Sequence, residues 1–404
     1  MDPSAFQPHP ELLDPPVKRA AYSDRTAWLM AVMSQLAYLP FEGAPDAAEI
    51  RRIAERLVKE RKLDDVVRAL TALVAKPNQG APARSQLELG LGALRLELIS
   101  TFSVSIPFKT DSQAFIARVS ADWREGKPDA DDFLVLAFRG TEPAKLTDIK
   151  TDIRASMKLA SRQPDPRAKV HSGFHDALMA AAPGGDAIID QINAVLRRDE
   201  HKGLPIFVTG HSLGGALAVL ATRYVANGSR GACYTFGQPR VCNQFFNEQI
   251  FTPVYRVVNA ADAVPAVPFK HTFMNLLIAI VRFLPVPGSG PAVRFLSRIR
   301  GYRHGGDLRF MTHAPAEPDP DNIPTFPKMR VFNNASLVDR WWRSTGRFVA
   351  SWGTCLLSDH DVGLYIAKLA HYARARNRRR LEINRTEASP PAPGPDSSPG
   401  PDAP

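Results

Sequence analysis

The segment Gly210-His211-Ser212-Leu213-Gly214 constrains this chain more than any other, because it places a serine between two glycines. Residues 204–209 predict a short buried strand before it, and the small-residue run at 215–225 predicts a helix after it. In that context Ser212 stands on a strained strand-to-helix turn, where Gly210 and Gly214 remove side chains that would collide. The segment therefore predicts a nucleophile elbow, with the first backbone N–H groups of the helix aimed at a developing oxyanion.

A serine hydroxyl is a weak nucleophile by itself, so this interpretation requires a base and a group that orients the base. In folds with a nucleophile elbow, the acid follows the serine and the histidine follows the acid. Asp262 comes just after a predicted strand at 254–259 and opens a proline-rich loop. Catalytic acids of open α/β sheets lie at such strand ends. The alternative is an aspartate that forms an Asx turn ahead of the prolines.

Four histidines lie between Asp262 and the last basic helix, namely His271, His304, His313 and His360. We take His360 as the base, because Ser358 and Asp361 have the spacing of a capping box and residues 363–372 continue as a helix. The positive end of that helix would keep the imidazole neutral and able to accept a proton. His304 is the second candidate for the base.

The histidines nearer the elbow are assigned other roles. His211 is excluded as the base, because the residue beside an elbow serine points away from the hydroxyl. His171 and His175 precede Ser212, and the order of the triad in this fold makes them structural.

The second oxyanion donor should come from a loop after an earlier strand. Residues 132–138 predict such a strand, and Arg139-Gly140-Thr141 follows it directly. The predicted oxyanion hole therefore consists of the N–H groups of Thr141 and Leu213, with the Thr141 hydroxyl as an extra donor.

These residues together resemble the class 3, or fungal-type, triacylglycerol lipases of the α/β-hydrolase superfamily. The resemblance extends over about residues 27–369, and the matching pieces are 137–141, 170–174, 208–216, 234–240, 259–268, 301–304 and 359–360. It implies Ser212 as nucleophile, Asp262 as acid, His360 as base and Thr141 as oxyanion residue, and it makes His304 structural. It also implies a mobile lid at about 145–160. Ile149, Ile153 and Met157 recur there at a spacing of four, which fits an amphipathic lid helix or a fixed surface helix.

The chain departs from the family's pattern in an insertion at about 269–300. The insertion begins with an apolar run at 273–285, which is too short to span a bilayer. A second apolar stretch follows and carries Arg294, Arg298, Arg300 and Arg303. Residues 273–303 therefore predict either a cationic patch for peripheral membrane contact or a cap over the acyl site.

Strands and helices alternate along the chain, which predicts an α/β fold with a predominantly parallel sheet covered by helices on both faces. We expect a flexible lead at 1–20, one hydrolase domain at 21–376 with extra N-terminal helices at 46–61 and 64–74, and a basic, then proline-rich, disordered tail at 377–404. The three cysteines, Cys233, Cys242 and Cys355, lie in apolar surroundings, and the first residues lack a Sec signal peptide. A cytoplasmic protein is expected, unless a signal-independent route exports it.

The 51 basic and 41 acidic residues give a net charge of +10, which would attract anionic lipid. Nucleic acid is not expected as a partner, because no recognition motif accompanies the basic residues. The sequence thus predicts a serine carboxylic-ester hydrolase, of triacylglycerol lipase or phospholipase A1 type, that needs no metal or organic cofactor. The alternatives are a lipid-binding protein with an inactive triad and a phospholipase toxin delivered to rival cells.

Overall fold

The computed structural model describes residues 12–13, 20–39, 80–106, 110–120, 132–140, 157–162, 164–181, 185–268, 301–318, 324–351 and 355–388. The predicted helices at 46–61 and 64–74 and the insertion at 269–300 lie outside these residues.

Within the described residues, eight strands form one sheet and two more form a small antiparallel ribbon. The strands are β1 Leu96–Ile106, β2 Thr110–Val119, β3 Leu134–Phe138, β4 Met157–Leu159, β5 Lys169–His171, β6 Ile206–His211, β7 Cys233–Phe236, β8 Val254–Asn259, β9 Asp307–Met311 and β10 Val331–Asn333. The order across the large sheet is β1-β2-β3-β6-β7-β8-β9-β10, and β4 pairs with β5. The central strands β3, β6, β7, β8 and β9 are parallel. Antiparallel pairing is confined to the two edges of this sheet.

Helices connect these strands and cover both faces of the sheet. Their bounds are α1 Asp24–Leu36, α2 Gly80–Ala93, α3 Ser172–Met179, α4 Ile188–Leu196, α5 Leu213–Val225, α6 Gln244–Asn247, α7 Leu337–Ala350, α8 Cys355–Ser358 and α9 Val362–Ala388. The α/β-hydrolase architecture predicted from the sequence is confirmed.

Strand β3 shows why both faces must be covered. All five of its residues are buried, as expected for a parallel strand inside a sheet. Because side chains alternate along a strand, Val135 and Ala137 pack into one core with α1 and α9. Leu134, Leu136 and Phe138 pack into a second core with α4 and α5. The sheet therefore separates two apolar layers and leaves its strand ends to carry polar chemistry.

Several predicted boundaries are corrected by the structure. Residues 157–159 of the predicted lid helix form β4, because they pair with β5, while 145–156 lie outside the described residues. Leu12 and Leu13 of the predicted flexible lead are buried in the core that contains α1. Helix α9 continues to Ala388, past the predicted end of the domain at residue 376.

Candidate active site

Ser212 lies between the end of β6 and the start of α5, as the predicted elbow requires. Its backbone adopts φ 56° and ψ −126°, a conformation that costs an L-residue about 1–3 kcal/mol. The surrounding contacts hold it there, since the Ser212 N–H donates to the Phe236 carbonyl over 2.9 Å and the Gly215 N–H donates to the Ser212 carbonyl over 3.0 Å. The strained residue therefore marks the point at which the chain turns from β6 into α5.

Two glycines allow this turn because other backbone passes very close to them. A Cβ atom on Gly210 would overlap the carbonyl group of Gly214, and one on Gly214 would overlap the carbonyl oxygen of Phe138. These positions therefore exclude any side chain, for the steric reason inferred from the sequence.

The structure brings Ser212, His360 and Asp262 into one hydrogen-bonded chain. The Ser212 hydroxyl lies 2.9 Å from Nε2 of His360. On the other side of the ring, Nδ1 lies 2.9 Å from Oδ2 and 3.0 Å from Oδ1 of Asp262. With the ring proton on Nδ1, the imidazole donates to the carboxylate and accepts from the serine. All three side chains are buried, so their interactions are only weakly screened by solvent.

Asp262 receives two further hydrogen bonds, one of which the sequence did not reveal. The Val264 N–H donates to Oδ1 over 2.9 Å, so the Asx turn considered as an alternative is present alongside the contact with His360. The Tyr365 hydroxyl donates to Oδ2 over 2.6 Å. Burial, and then the negative charge of Asp262, raise the pKa of Tyr365 well above its ordinary value, so it remains a donor. Together these donors fix the carboxylate toward His360.

His211 supports the base and does not compete with it. Its Nε2–H donates to the His360 carbonyl oxygen over 2.7 Å, and its Nδ1 accepts from the Tyr38 hydroxyl over 2.9 Å. Burial, followed by the proximity of His360, lowers the pKa of His211 well below its ordinary value, which keeps the ring neutral. Both ring nitrogens of His211 therefore form hydrogen bonds with groups other than the serine, which agrees with the exclusion of His211 as the base.

His304 and His175 also have structural contacts. The His304 Nε2–H donates to the Pro265 carbonyl over 2.9 Å, in the loop that carries the acid. In the same loop, Arg240 donates to the Pro268 carbonyl over 2.6 Å and to that of Ala266. His175 accepts from the Ser161 N–H over 3.1 Å. His304 is therefore part of the scaffold of the acid loop, and His271 lies outside the described residues.

Of the two residues in the predicted capping box, Asp361 caps α9 and Ser358 does not. Asp361 accepts the Leu364 N–H over 3.0 Å, whereas Ser358 ends α8. The capping box is therefore wrong at Ser358, because that residue belongs to the preceding helix. The base nonetheless lies just before α9, near the positive end of a helix.

Of the two predicted oxyanion residues, Leu213 lies within the described part of the structure and Thr141 lies outside it. Leu213 is the first residue of α5, directly after Ser212. The turn after β3 packs against the elbow, since a Cβ atom on Gly214 would lie 2.9 Å from the Gly140 nitrogen. Thr141 follows Gly140 but lies outside the described residues, so its role stays a prediction.

The described residues hold neither a candidate metal site nor a candidate membrane span. In that part of the chain, no group of His, Cys, Asp and Glu side chains could hold a metal ion. Likewise, no helix among the described residues has both the length and the apolar character needed to cross a membrane. The absence of a metal cofactor stays a prediction.

Residues 135–272 match the family model described as lipase (class 3). The chain is 33% identical over 181 residues to phospholipase A1-Igamma2, chloroplastic, of Arabidopsis thaliana, covering 38% of this chain and 34% of that protein. It is 30% identical over 187 residues to a lipase of Rhizomucor miehei, covering 43% of this chain and 44% of the relative. The solved structure of mono- and diacylglycerol lipase from Aspergillus oryzae aligns with 81% of this chain and 92% of its own, at 19% identity and a TM-score of 0.47.

The matched residues 135–272 contain Ser212 and Asp262 but end before His360. The chain spans about a third of the length of the first curated relatives, at 34%, 31% and 35%. The family match and these relatives show that residues 135–272 are similar to the class 3 lipases.

Proposed function

We propose that this protein is a serine carboxylic-ester hydrolase that cleaves acylglycerol or phospholipid esters. The observation that carries the proposal is the buried chain from Ser212 through His360 to Asp262, with contacts of 2.9 Å on both sides of the imidazole. The substrate class is supported by relatives named phospholipase A1 and triacylglycerol lipase. An inactive lipid-binding protein would not need a serine held in a strained backbone conformation against a histidine.

In the proposed mechanism, the Ser212 oxygen attacks the ester carbonyl carbon while His360 Nε2 takes the hydroxyl proton. Asp262 holds the ring in the required tautomer and stabilises the imidazolium that forms. The Leu213 and Thr141 N–H groups would donate to the oxyanion. The imidazolium then gives its proton to the leaving alcohol, and an acyl-enzyme remains. Water hydrolyses this ester as His360 accepts the proton of the water, and the serine is regenerated.

The test is a panel of p-nitrophenyl esters, acylglycerols and phospholipids that differ in chain length and head group. Ser212→Ala and His360→Ala should each fall to near background, because members of a triad fail together. Asp262→Asn should lower kcat by about 10⁴-fold, since it favours the wrong tautomer. A His304→Ala variant tests the alternative base. Loss of activity there together with retention in His360→Ala would show that the base is misassigned.

We propose that residues 273–303 make the peripheral membrane contact predicted from the sequence, supported by the net charge of +10. Changing Ile278, Val281 and Phe283 to Ser should weaken co-sedimentation with anionic liposomes and leave hydrolysis of a short soluble ester intact. High salt should weaken wild-type binding as well. Unchanged sedimentation with lost esterase activity would favour a cap over the acyl site.

A cytoplasmic location is also proposed. Cys233, Cys242 and Cys355 are all buried and free of disulfides, which suits a reducing compartment. Fractionation of the producing cells would test this, and recovery of the protein outside the cell would contradict it.

A further inference from the structure

The residue before the acid and the residue before the base are joined directly. Asp359, which precedes His360, is buried with 1% of its surface exposed. Its Oδ2 accepts the backbone N–H of Ala261, the residue before Asp262, over 3.0 Å. Its Oδ1 accepts from Arg347 of α7 over 3.2 Å. The turn between α8 and α9 carries His360, and we call it the base loop. The Asp359 carboxylate therefore ties the acid loop to the base loop, and ties both loops to α7.

A second connection runs parallel to the first. Asn259 ends β8 and is fully buried, and its Nδ2 donates to the Asp359 carbonyl oxygen over 2.9 Å. Its Oδ1 accepts from the ammonium group of Lys368 on α9 over 2.6 Å. That ammonium also donates to the Thr312 carbonyl over 3.1 Å. We call Asp359, Arg347, Asn259 and Lys368 the loop clamp.

Stability alone does not account for charged groups in this position. Lys368 is 1% exposed, and burial lowers its pKa to about 8, which reflects the cost of keeping the ammonium there. Buried ion pairs are often no better for stability than apolar side chains of the same size. Hydrogen bonds, however, are directional, and a catalytic constellation has to be held to within about 0.5 Å. The clamp supplies that directionality between the two loops that must meet.

We propose that Asp359 and Lys368 are positioning residues, which set the distance between His360 and Asp262 by locking the base loop onto the acid loop. The proposal rests on the proposed ester hydrolysis. Within the described part of the structure, the Asp359 and Lys368 side chains form hydrogen bonds with groups other than Ser212 and the His360 ring. Their effect is on the arrangement of the triad and therefore on kcat, whereas KM for a short soluble ester should change little.

The variants for the test are Asp359→Asn, which removes the charge at constant shape, and Lys368→Met, which removes the ammonium at similar length. Arg376→Met is the matched control, because Arg376 lies on the same helix as Lys368 but pairs with Asp24. Each protein is titrated with a fluorophosphonate, so that kcat is expressed per reactive serine. Losing a hydrogen bond to a charged group should lower kcat roughly 10- to 100-fold in both clamp variants, with KM unchanged. The control should match wild type.

A second readout does not depend on substrate. The proton shared by His360 and Asp262 should give a far-downfield NMR resonance in wild type, and Lys368→Met should shift or broaden it. If the clamp variants kept the wild-type kcat per reactive serine but had lowered stability, the proposal would be overturned, because the clamp would then be merely structural. If Asp359→Asn does not fold, Lys368→Met decides alone. A wild-type protein that shows the resonance but hydrolyses no ester would refute the proposed function, and an unmoved resonance in Lys368→Met would refute the clamp.

Discussion

Gly237→Ala should damage the active site without touching any residue of the triad. Gly237 follows β7 with φ 58°, and a Cβ atom there would lie 2.7 Å from Oδ2 of Asp262 and 2.8 Å from Nδ1 of His360. Both distances are shorter than real Cβ atoms show. The methyl group would therefore sit against the hydrogen bond that orients the base and force the two side chains apart.

The size of the effect follows from two separate terms. A hydrogen bond to a charged group is worth about 1.5–3 kcal/mol, so its loss in the transition state should lower kcat roughly 10- to 150-fold. Stability should fall for a different reason. A left-handed backbone costs alanine about 1–2 kcal/mol, and overpacking adds about 1–3 kcal/mol. The free energy of unfolding should thus decrease by about 2–5 kcal/mol.

Gly228→Ala is the matched control for this prediction. Gly228 has φ 78°, and a Cβ atom there meets nothing within 4 Å, so it carries the backbone cost without the contact. The free energy of unfolding of Gly228→Ala, measured by urea denaturation, should fall by about 1–2 kcal/mol. This variant should keep the wild-type kcat on a soluble p-nitrophenyl ester. If Gly237→Ala also kept wild-type kcat, the reasoning from the His360–Asp262 contact would be wrong.

Two further predictions concern stability. Tyr365→Phe removes the hydroxyl that donates to Asp262 and accepts the Asn259 N–H, so the free energy of unfolding in urea should fall by about 3 kcal/mol or more. A change below about 1 kcal/mol would contradict this. Burial, and then the positive charge of Lys158, lower the pKa of His175 to about 4. Below about pH 6.5 the unfolded chain therefore takes up a proton at His175 that the folded chain resists. Between pH 6.5 and 4, the free energy of unfolding of the wild type should fall by up to about 3 kcal/mol more than that of His175→Gln. Parallel pH profiles of the two proteins would show that His175 is not responsible.

The elbow could be predicted from sequence because its signals are local. The sequence predicts a strand at 204–209 and a helix at 215–225, and the structure has the strand Ile206–His211 and the helix Leu213–Val225. The supporting residues could not be predicted in this way. Tyr365 is 103 positions from Asp262, and Tyr38 is 173 positions from His211. Such contacts depend on how α1 and α9 pack on the sheet, and no periodicity within either helix specifies a partner that far away.

The predicted lid helix is wrong at its C-terminal end, because a local pattern was compatible with two structures. Three apolar residues at a spacing of four predict a helix over 145–160, yet residues 157–159 pair as a strand with Lys169–His171. A short periodic segment can satisfy either structure, and here the neighbouring strand decides.

The order of the triad along the chain also bears on biosynthesis. His360 follows Ser212 by 148 residues, so at a synthesis rate of 5–20 residues per second the base leaves the ribosome about 7–30 s after the nucleophile. Helix α1, which ends just before Tyr38, packs in the same core as α9 and is joined to it by Asp24 and Arg376 across 352 positions. During that interval the apolar surface of α1 has no α9 to cover it, and the serine has no base. A nascent chain should therefore need protection from aggregation before it can hydrolyse any ester, and hydrolytic activity should be among the last properties that it acquires.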